Sequence, residues 1–146
     1  MEDSRVNLSK YFLSMAEEDL EIAKILLETK HYAGSVFHSQ QCIEKGIKSV
    51  LILFGIFIKT HYVSNLLVRN LDKFDEYWKE RFDSLLPIIR ELERHWALPR
   101  YPEPMGEEVW NPLDNYTKED AEECLKNAEY VLKVVKEFLK EKYDLE

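Results

Sequence analysis

Apolar side chains recur at steps of three and four residues along most of this chain, and that spacing predicts α-helices. The predicted helices are one through about residue 29, one from Tyr32 to Phe54, a short one from Thr60, an apolar stretch up to Leu92 and one from Thr117 to about residue 143. Residues 29–31 form the whole connection between the first two helices. A connection that short makes these helices antiparallel neighbours.

Prolines interrupt the pattern in two places. Pro87 lies inside the helical stretch that ends near Leu92, where it removes a backbone donor and is expected to kink or divide the helix. Four prolines between residues 97 and 116 predict an extended loop, and no strand is predicted anywhere. The sequence therefore predicts one domain, residues 1–146, that is all-α: an antiparallel up-and-down helical bundle of four or five helices.

Composition agrees with this interpretation. The chain has 146 residues, 45% of them hydrophobic and 33% charged, which is typical of one helical globular domain. Cys42 and Cys124 have no metal-type spacing, so reduced core thiols and a cytoplasmic location are expected. No apolar run reaches the ~18 residues of a membrane span, so no membrane segment is predicted. The net charge of −8 argues against a surface that binds nucleic acid everywhere, but not against a local basic cleft.

One face of the second predicted helix carries polar groups in the same helical rhythm. Gln41, Glu44, Lys45 and Lys48 lie along two to three turns of it. Lysines on phosphate and an amide on a base edge would make a nucleotide site. Alternatively, a partly buried Glu44 pairs with Arg100 or a lysine and holds the proline-rich loop on the bundle, because a buried charge is tolerated only when it is paired. His38 is expected to be packed and hydrogen-bonded.

Several short fragments follow one another along the chain: Asp19-Leu20 with Ala23, Tyr32, Phe37, Gln40-Gln41, Glu44-Lys45, Lys48, His61 with Leu66, Arg100-Tyr101-Pro102 and Tyr116-Thr117. Their order and spacing resemble the HEPN domain family of prokaryotes over nearly the whole chain. The resemblance implies an all-α up-and-down bundle that is usually dimeric and cytoplasmic. It also implies frequent pairing with a minimal nucleotidyltransferase, and in some members metal-independent ribonuclease activity or nucleotide binding.

Ribonuclease members of that family carry an arginine followed four to six residues later by a histidine. Here Arg90 and His95 have four residues between them. The histidine would act as general base or acid on the 2′-hydroxyl, and the arginine would stabilise the phosphate charge in the transition state. Glu91 and Glu93 place negative charge beside this pair, and no histidine follows Arg100 within six residues. The alternative is an exposed helix end without catalysis.

Two functions follow from these observations. The first is a module for nucleotide binding and protein interaction, a homodimer that partners a minimal nucleotidyltransferase. The alternative is a metal-independent RNase toxin of a toxin–antitoxin pair that acts on RNA through Arg90 and His95, so whether the chain is an enzyme stays open at this point. No metal site and no cofactor are predicted. The residues for nucleotide binding or for a structural clamp are Gln41, Glu44, Lys45, Lys48, Arg100 and Tyr101.

Overall fold

The computed structural model describes residues 2–145, with side chains from Ser4 to Leu145. Within that range it is an all-α, up-and-down bundle, as the sequence predicts. The helices are α1 (Glu2–Glu28), α2 (Tyr32–Leu53), α3 (Val63–Arg69), α4 (Glu76–Glu93), α5 (Pro112–Asn115) and α6 (Lys118–Tyr143). A single 3-10 turn, Leu71–Lys73, lies between α3 and α4. Four of these helices are long: α1, α2, α4 and α6.

Helices α1 and α2 pack side by side, and two serines bond them to each other. The hydroxyl of Ser9 on α1 donates to the carbonyl oxygen of Ser49 on α2 at 2.6 Å. The hydroxyl of Ser35 on α2 donates to the carbonyl oxygen of Ala23 on α1 at 2.8 Å. Both hydrogen bonds are buried, and they join the two helices near opposite ends of the pair.

Helix α2 lies at the centre of the bundle because its faces meet different neighbours. Gly46 faces α6, where an added Cβ would lie 3.6 Å from Leu132 and 3.9 Å from Val135. The core beside it contains a cluster of aromatic side chains around Phe138. Its ring contacts the rings of Phe54, Phe74, Trp78 and Phe82. Burial raises the pKa of Cys42 and of Cys124 to about 12, so both thiols stay protonated at neutral pH.

The prediction that the chain has no strand is wrong. An antiparallel hairpin pairs β1 (Glu103–Met105) with β2 (Glu108–Trp110). The two-residue turn begins with Gly106 at φ 63°, the left-handed backbone that a type II′ hairpin turn requires of its first residue. Pro104 is compatible with the pairing because this short exposed strand is an edge.

Pro87 does not divide its helix. Helix α4 runs from Glu76 to Glu93 with Pro87 inside it. Pro87 is exposed, so the carbonyl that loses its helical donor can bond water instead. At the start of this helix, Asp75 accepts a hydrogen bond from the backbone N–H of Trp78 at 3.1 Å. No helix within residues 2–145 is long and apolar enough to cross a membrane.

Candidate functional site

The turn after α4 positions His95. Its backbone N–H donates to the carbonyl oxygen of Leu92 at 2.9 Å, which continues the end of the helix by one tight turn. Its ring Nδ1 lies 2.6 Å from the hydroxyl oxygen of Tyr116, and the two rings meet edge to face. Burial lowers the pKa of His95, and the nearby charge of Arg94 lowers it further. The imidazole is therefore held in one orientation and is uncharged at neutral pH.

An open pocket of about 210 Å³ lies beside His95. Three acidic residues, Glu91, Asp120 and Glu123, are part of its wall together with Arg94. Arg94 donates to the Glu91 carboxylate at 3.2 Å, so one of those acids is already neutralised by an ion pair. In the neutral ring, the Tyr116 hydroxyl occupies Nδ1, and Nε2 has no hydrogen-bond partner among residues 2–145. Nε2 is the ring nitrogen that can exchange a proton with a ligand.

Arg90 lies in the last turn of α4 and is exposed. Its guanidinium has no hydrogen bond or ion pair within the described part of the chain. It is not part of the wall of the pocket beside His95. In a continuous helix, the five-residue step between Arg90 and His95 corresponds to roughly 8 Å along the axis and about 140° around it, so the two side chains leave the helix in different directions. The structure thus places both residues at one helix end without a direct contact between them.

Glu44 is the centre of a second polar cluster, on α2. Its side chain is buried, and its Oε1 accepts hydrogen bonds from Gln40 Nε2 at 3.2 Å and from His61 Nδ1 at 3.0 Å. Its Oε2 accepts from Lys48 Nζ at 3.1 Å. Gln41 extends the cluster by donating from Nε2 to Gln40 Oε1 at 2.7 Å. Each of these polar side chains is therefore bonded to another side chain of the same cluster.

Lys45 belongs to a different cluster from its neighbours in sequence. Its Nζ donates to Oδ2 of the buried Asp19 at 2.6 Å, and His38 Nδ1 lies 2.8 Å from Oδ1 of the same carboxylate. Burial alone would raise the pKa of Asp19, but the hydrogen bonds from His38 and Lys45 outweigh it and lower the pKa. The four polar residues predicted on one face of α2 are thus divided between two carboxylates, on α1 and on α2.

Arg100 does not clamp a carboxylate among the described residues. Its guanidinium carbon instead lies over three aromatic rings, 4.4 Å from the centroid of Trp96, 5.0 Å from Phe37 and 5.1 Å from Tyr101. The ring of Trp96 also stacks on His61, with centroids 4.1 Å apart. The expected Glu44–Arg100 pair is therefore replaced by an indirect connection through His61 and Trp96. Tyr101 is exposed.

Three partners in these clusters were not singled out as site residues from the sequence: Asp19, Trp96 and Tyr116. Asp19 and Tyr116 do belong to the fragments that carry the family resemblance, which is the one signal that marks them. Trp96 follows His95 directly, but nothing in the sequence indicates that its ring meets His61. His61, another residue of those fragments, lies just before α3, and its ring bonds Glu44.

Comparison with known proteins agrees with this fold. The chain matches the model of the HEPN domain family over residues 9–138, which is most of its length. This protein belongs to the HEPN domain family.

Individual relatives extend the comparison. A Methanocaldococcus jannaschii protein with the name "Putative toxin MJ1304" is 58% identical to this chain over 150 residues, which cover 99% of this chain and 98% of that protein. The crystal structure of TT1696 from Thermus thermophilus superposes with a TM-score of 0.71 at 26% identity, covering 88% of this chain and 96% of that one. ST0689, an archaeal HEPN homologue, superposes with a TM-score of 0.69 at 30% identity, covering 90% and 98% of the two chains.

Proposed function

We propose that this protein is an RNA-cleaving toxin in which His95 is the general base or acid and Arg90 holds the scissile phosphate. The observation that carries the proposal is the state of His95: Tyr116 fixes its Nδ1, burial lowers its pKa, and its Nε2 is unoccupied at an open pocket. A relative of 58% identity with a toxin name gives independent support.

The chemistry requires no metal ion. A neutral His95 that donates its Nδ1–H to the Tyr116 oxygen accepts the proton of a ribose 2′-hydroxyl through Nε2. The 2′-oxygen then bonds to the adjacent phosphorus as the bond from phosphorus to the 5′-oxygen breaks, which gives a 2′,3′-cyclic phosphate and a 5′-hydroxyl that takes its proton from water. Arg90 has its guanidinium donors free for the negative charge that develops on the phosphate oxygens. The Tyr116 phenol stays protonated, because burial raises its pKa, and it keeps the imidazole oriented.

Acidic groups near the pocket oppose phosphate binding, and the arginines of α4 offset part of that charge. Glu91 is already paired with Arg94. Glu93 lies behind the helix, where its carboxylate accepts the backbone N–H of Ser64 at 2.8 Å and the Ser64 hydroxyl at 3.1 Å. Burial raises the pKa of Glu93, while its hydrogen bonds with Ser64 oppose that change. The two glutamates that follow Arg90 in sequence are therefore already bonded within the protein, one to Arg94 and one to Ser64.

The test is cleavage of a fluorescently labelled RNA in EDTA by the wild type, by His95→Ala and by Arg90→Ala. We expect metal-independent cleavage by the wild type and a loss of about 10²-fold or more in each variant. His31→Ala is the matched control, since His31 is exposed at the start of α2, and it should cleave like the wild type. Absence of cleavage by the wild type, or full activity of His95→Ala, contradicts the proposal.

Toxin activity in a cell requires a partner that restrains it. We propose a homodimer with a minimal nucleotidyltransferase as antitoxin, the assembly that the family resemblance implies. Sedimentation at tens of micromolar should give the mass of two chains, and co-purification with a nucleotidyltransferase from the same source should give a stable complex. A concentration-independent monomer would contradict the dimer.

Nucleotide binding at the polar face of α2 has less support than RNA cleavage at His95. Gln41, Glu44 and Lys48 are bonded within one cluster, and Lys45 is bonded to Asp19. A nucleotide would have to break these contacts before it gained its own. We infer that these four residues hold the fold together.

A further inference from the structure

We propose that a basic and aromatic strip on this protein binds a single-stranded segment of its RNA substrate through phosphate contacts and base stacking. The basic–aromatic strip consists of Phe57, Lys59, His61, Trp96, Arg100 and Tyr101. This inference rests on the proposed function for the identity of the nucleic acid, but it concerns residues outside the His95 pocket.

Arg100 is the best-positioned cation of the strip. Three aromatic rings hold its guanidinium in place, with Trp96 nearest at 4.4 Å. Arg100 is exposed, and its guanidinium N–H groups donate to no acceptor among the described side chains and backbone of residues 2–145, whereas its backbone N–H donates to the carbonyl oxygen of Ala97. Cation–π contacts with rings use the face of a guanidinium and not its N–H donors, so these donors stay available for two oxygens of one phosphate. The side chain is thus oriented before any anion arrives.

The stack that supports Arg100 is connected to the core. Trp96 lies against both Arg100 and His61, and His61 donates to the buried Glu44 at 3.0 Å. If the guanidinium moved away, the face of the Trp96 ring that it covers would be exposed to water. This favours the observed position of Arg100. Low mobility before binding reduces the entropy cost of binding.

An open groove of about 440 Å³ lies at the other end of the strip, on the far side of His61. Its wall contains Lys48, Lys59 and His61 together with the aromatic residues Phe12 and Phe57, and none of its described wall residues carries a carboxylate. Phe57 is 55% exposed, and Tyr101 at the Arg100 end is 54% exposed. Lys48 and His61 are bonded to the buried Glu44, so Lys59 is the cation of this wall that is left for a ligand. The whole chain carries a net charge of −8, so a groove wall without an acidic residue among those described is a local exception.

Cations that alternate with exposed rings match single-stranded nucleic acid better than they match a folded protein. Phosphates pair with the cations, while bases stack on the rings with little dependence on sequence. Arg100 and Lys59 are accordingly assigned to phosphates, and Tyr101 and Phe57 to bases. Such a surface would hold the strand away from the scissile bond and would contribute affinity more than rate.

The experiment measures fluorescence anisotropy of a labelled 12-nucleotide single-stranded RNA, with every protein in a His95→Ala background so that the RNA stays intact. The double variant Lys59→Ala with Arg100→Ala should weaken binding at least about tenfold and reduce the slope of log affinity against log salt by about 1.4, because two phosphate contacts are lost. Tyr101→Ala should weaken binding without changing that slope. Circular dichroism melting establishes that each variant is folded.

The matched control removes the same charge elsewhere: Arg69→Ala with Lys73→Ala, two exposed cations near α3. Binding by this control should stay within about twofold of the parent. Equal loss in both double variants, no loss in the strip variant, or no RNA binding by the parent would each overturn the proposal. Binding of AMP as tight as that of the 12-mer would also overturn it, since the site would then hold a mononucleotide. The binding experiment does not depend on cleavage. If the wild type binds the RNA through the strip but does not cleave RNA, the proposed function fails while the binding proposal stands.

Discussion

The carboxylate of Glu44 and the imidazole of His61 are joined by a 3.0 Å hydrogen bond that connects α2 to the segment before α3. The Glu44 side chain is only 5% exposed, whereas that of His61 is 45% exposed. The buried carboxylate of Glu44 is thus hydrogen-bonded to an imidazole that is partly exposed to solvent. This contact makes the region near α3 dependent on one charged residue of α2.

The first prediction concerns Glu44→Ala, which leaves Lys48, His61 and Gln40 without their shared acceptor. We expect the free energy of unfolding to fall by about 3–5 kcal/mol, because an ammonium group that is mostly buried loses its counter-charge. Urea denaturation followed by circular dichroism measures the change. Glu21→Ala is the control, since Glu21 is exposed on α1, and it should be neutral within about 0.5 kcal/mol. A Glu44→Ala protein as stable as the wild type would show that the cluster does not hold the fold.

The second prediction concerns the pH dependence that Asp19 contributes. Its pKa is lowered in the folded protein, so its contribution to stability is present above the unfolded pKa near 3.8 and is lost as the pH falls through the folded pKa. Asp19→Asn should therefore cost about 1–3 kcal/mol at pH 7 and much less at pH 3. Urea denaturation at both pH values measures the difference, with the exposed Asp72→Asn as control. A cost that is the same at pH 7 and pH 3 would contradict the charged role of Asp19.

The third prediction concerns Gly46→Ala on α2. An added Cβ would lie 3.6 Å from Leu132, which is an ordinary contact distance, so the methyl group fits against α6. Alanine also improves helix propensity, and we expect stabilisation by up to about 1 kcal/mol. Gly55→Ala should do the opposite, because Gly55 has φ 82° and the Arg5 guanidinium already lies 3.1 Å from the position of an added Cβ. Melting temperatures of the two variants should move in opposite directions. A loss of stability in Gly46→Ala would mean that α2 and α6 pack more tightly than this geometry indicates.

The fourth prediction concerns the pH dependence of RNA cleavage. His95 has a lowered pKa, so the neutral base forms below the usual value of 6.5, and the rate should rise with pH below 6.5 and then level off. Tyr116→Phe removes the hydroxyl that orients the imidazole, and we expect it to reduce kcat about tenfold with a smaller effect on KM. Tyr130→Phe, on an exposed part of α6, serves as control. A rate that rises only above pH 7 would exclude His95 as the base in the form described.

The sequence predicted α1, α2, α3, α4 and α6 because each follows a local 3.6-residue rhythm, but it did not predict the four-residue α5, which lies in the segment expected to be an extended loop. The clusters were harder, since they depend on residues far apart in the chain: Lys45 pairs with Asp19 across 26 positions. Glu44 was expected to pair with Arg100 or a lysine, and its partner is Lys48, whereas Trp96 and Phe37 hold the Arg100 guanidinium. The hairpin escaped prediction because prolines at its start are typical of loops, whereas Gly106 supplied the turn that closes it.

The two serine bonds between α1 and α2 restrict how this protein can change shape. Ser9 faces Ser49 and Ser35 faces Ala23, so sliding one helix along the other by a single turn would break both buried hydrogen bonds at once. Tilting the pair would separate at least one of them. The two bonds therefore hold the α1–α2 hairpin in one register at both of its ends. The wall of the His95 pocket is formed by the end of α4 and the first turns of α6, so a motion that opens the pocket involves those elements and leaves the α1–α2 register unchanged.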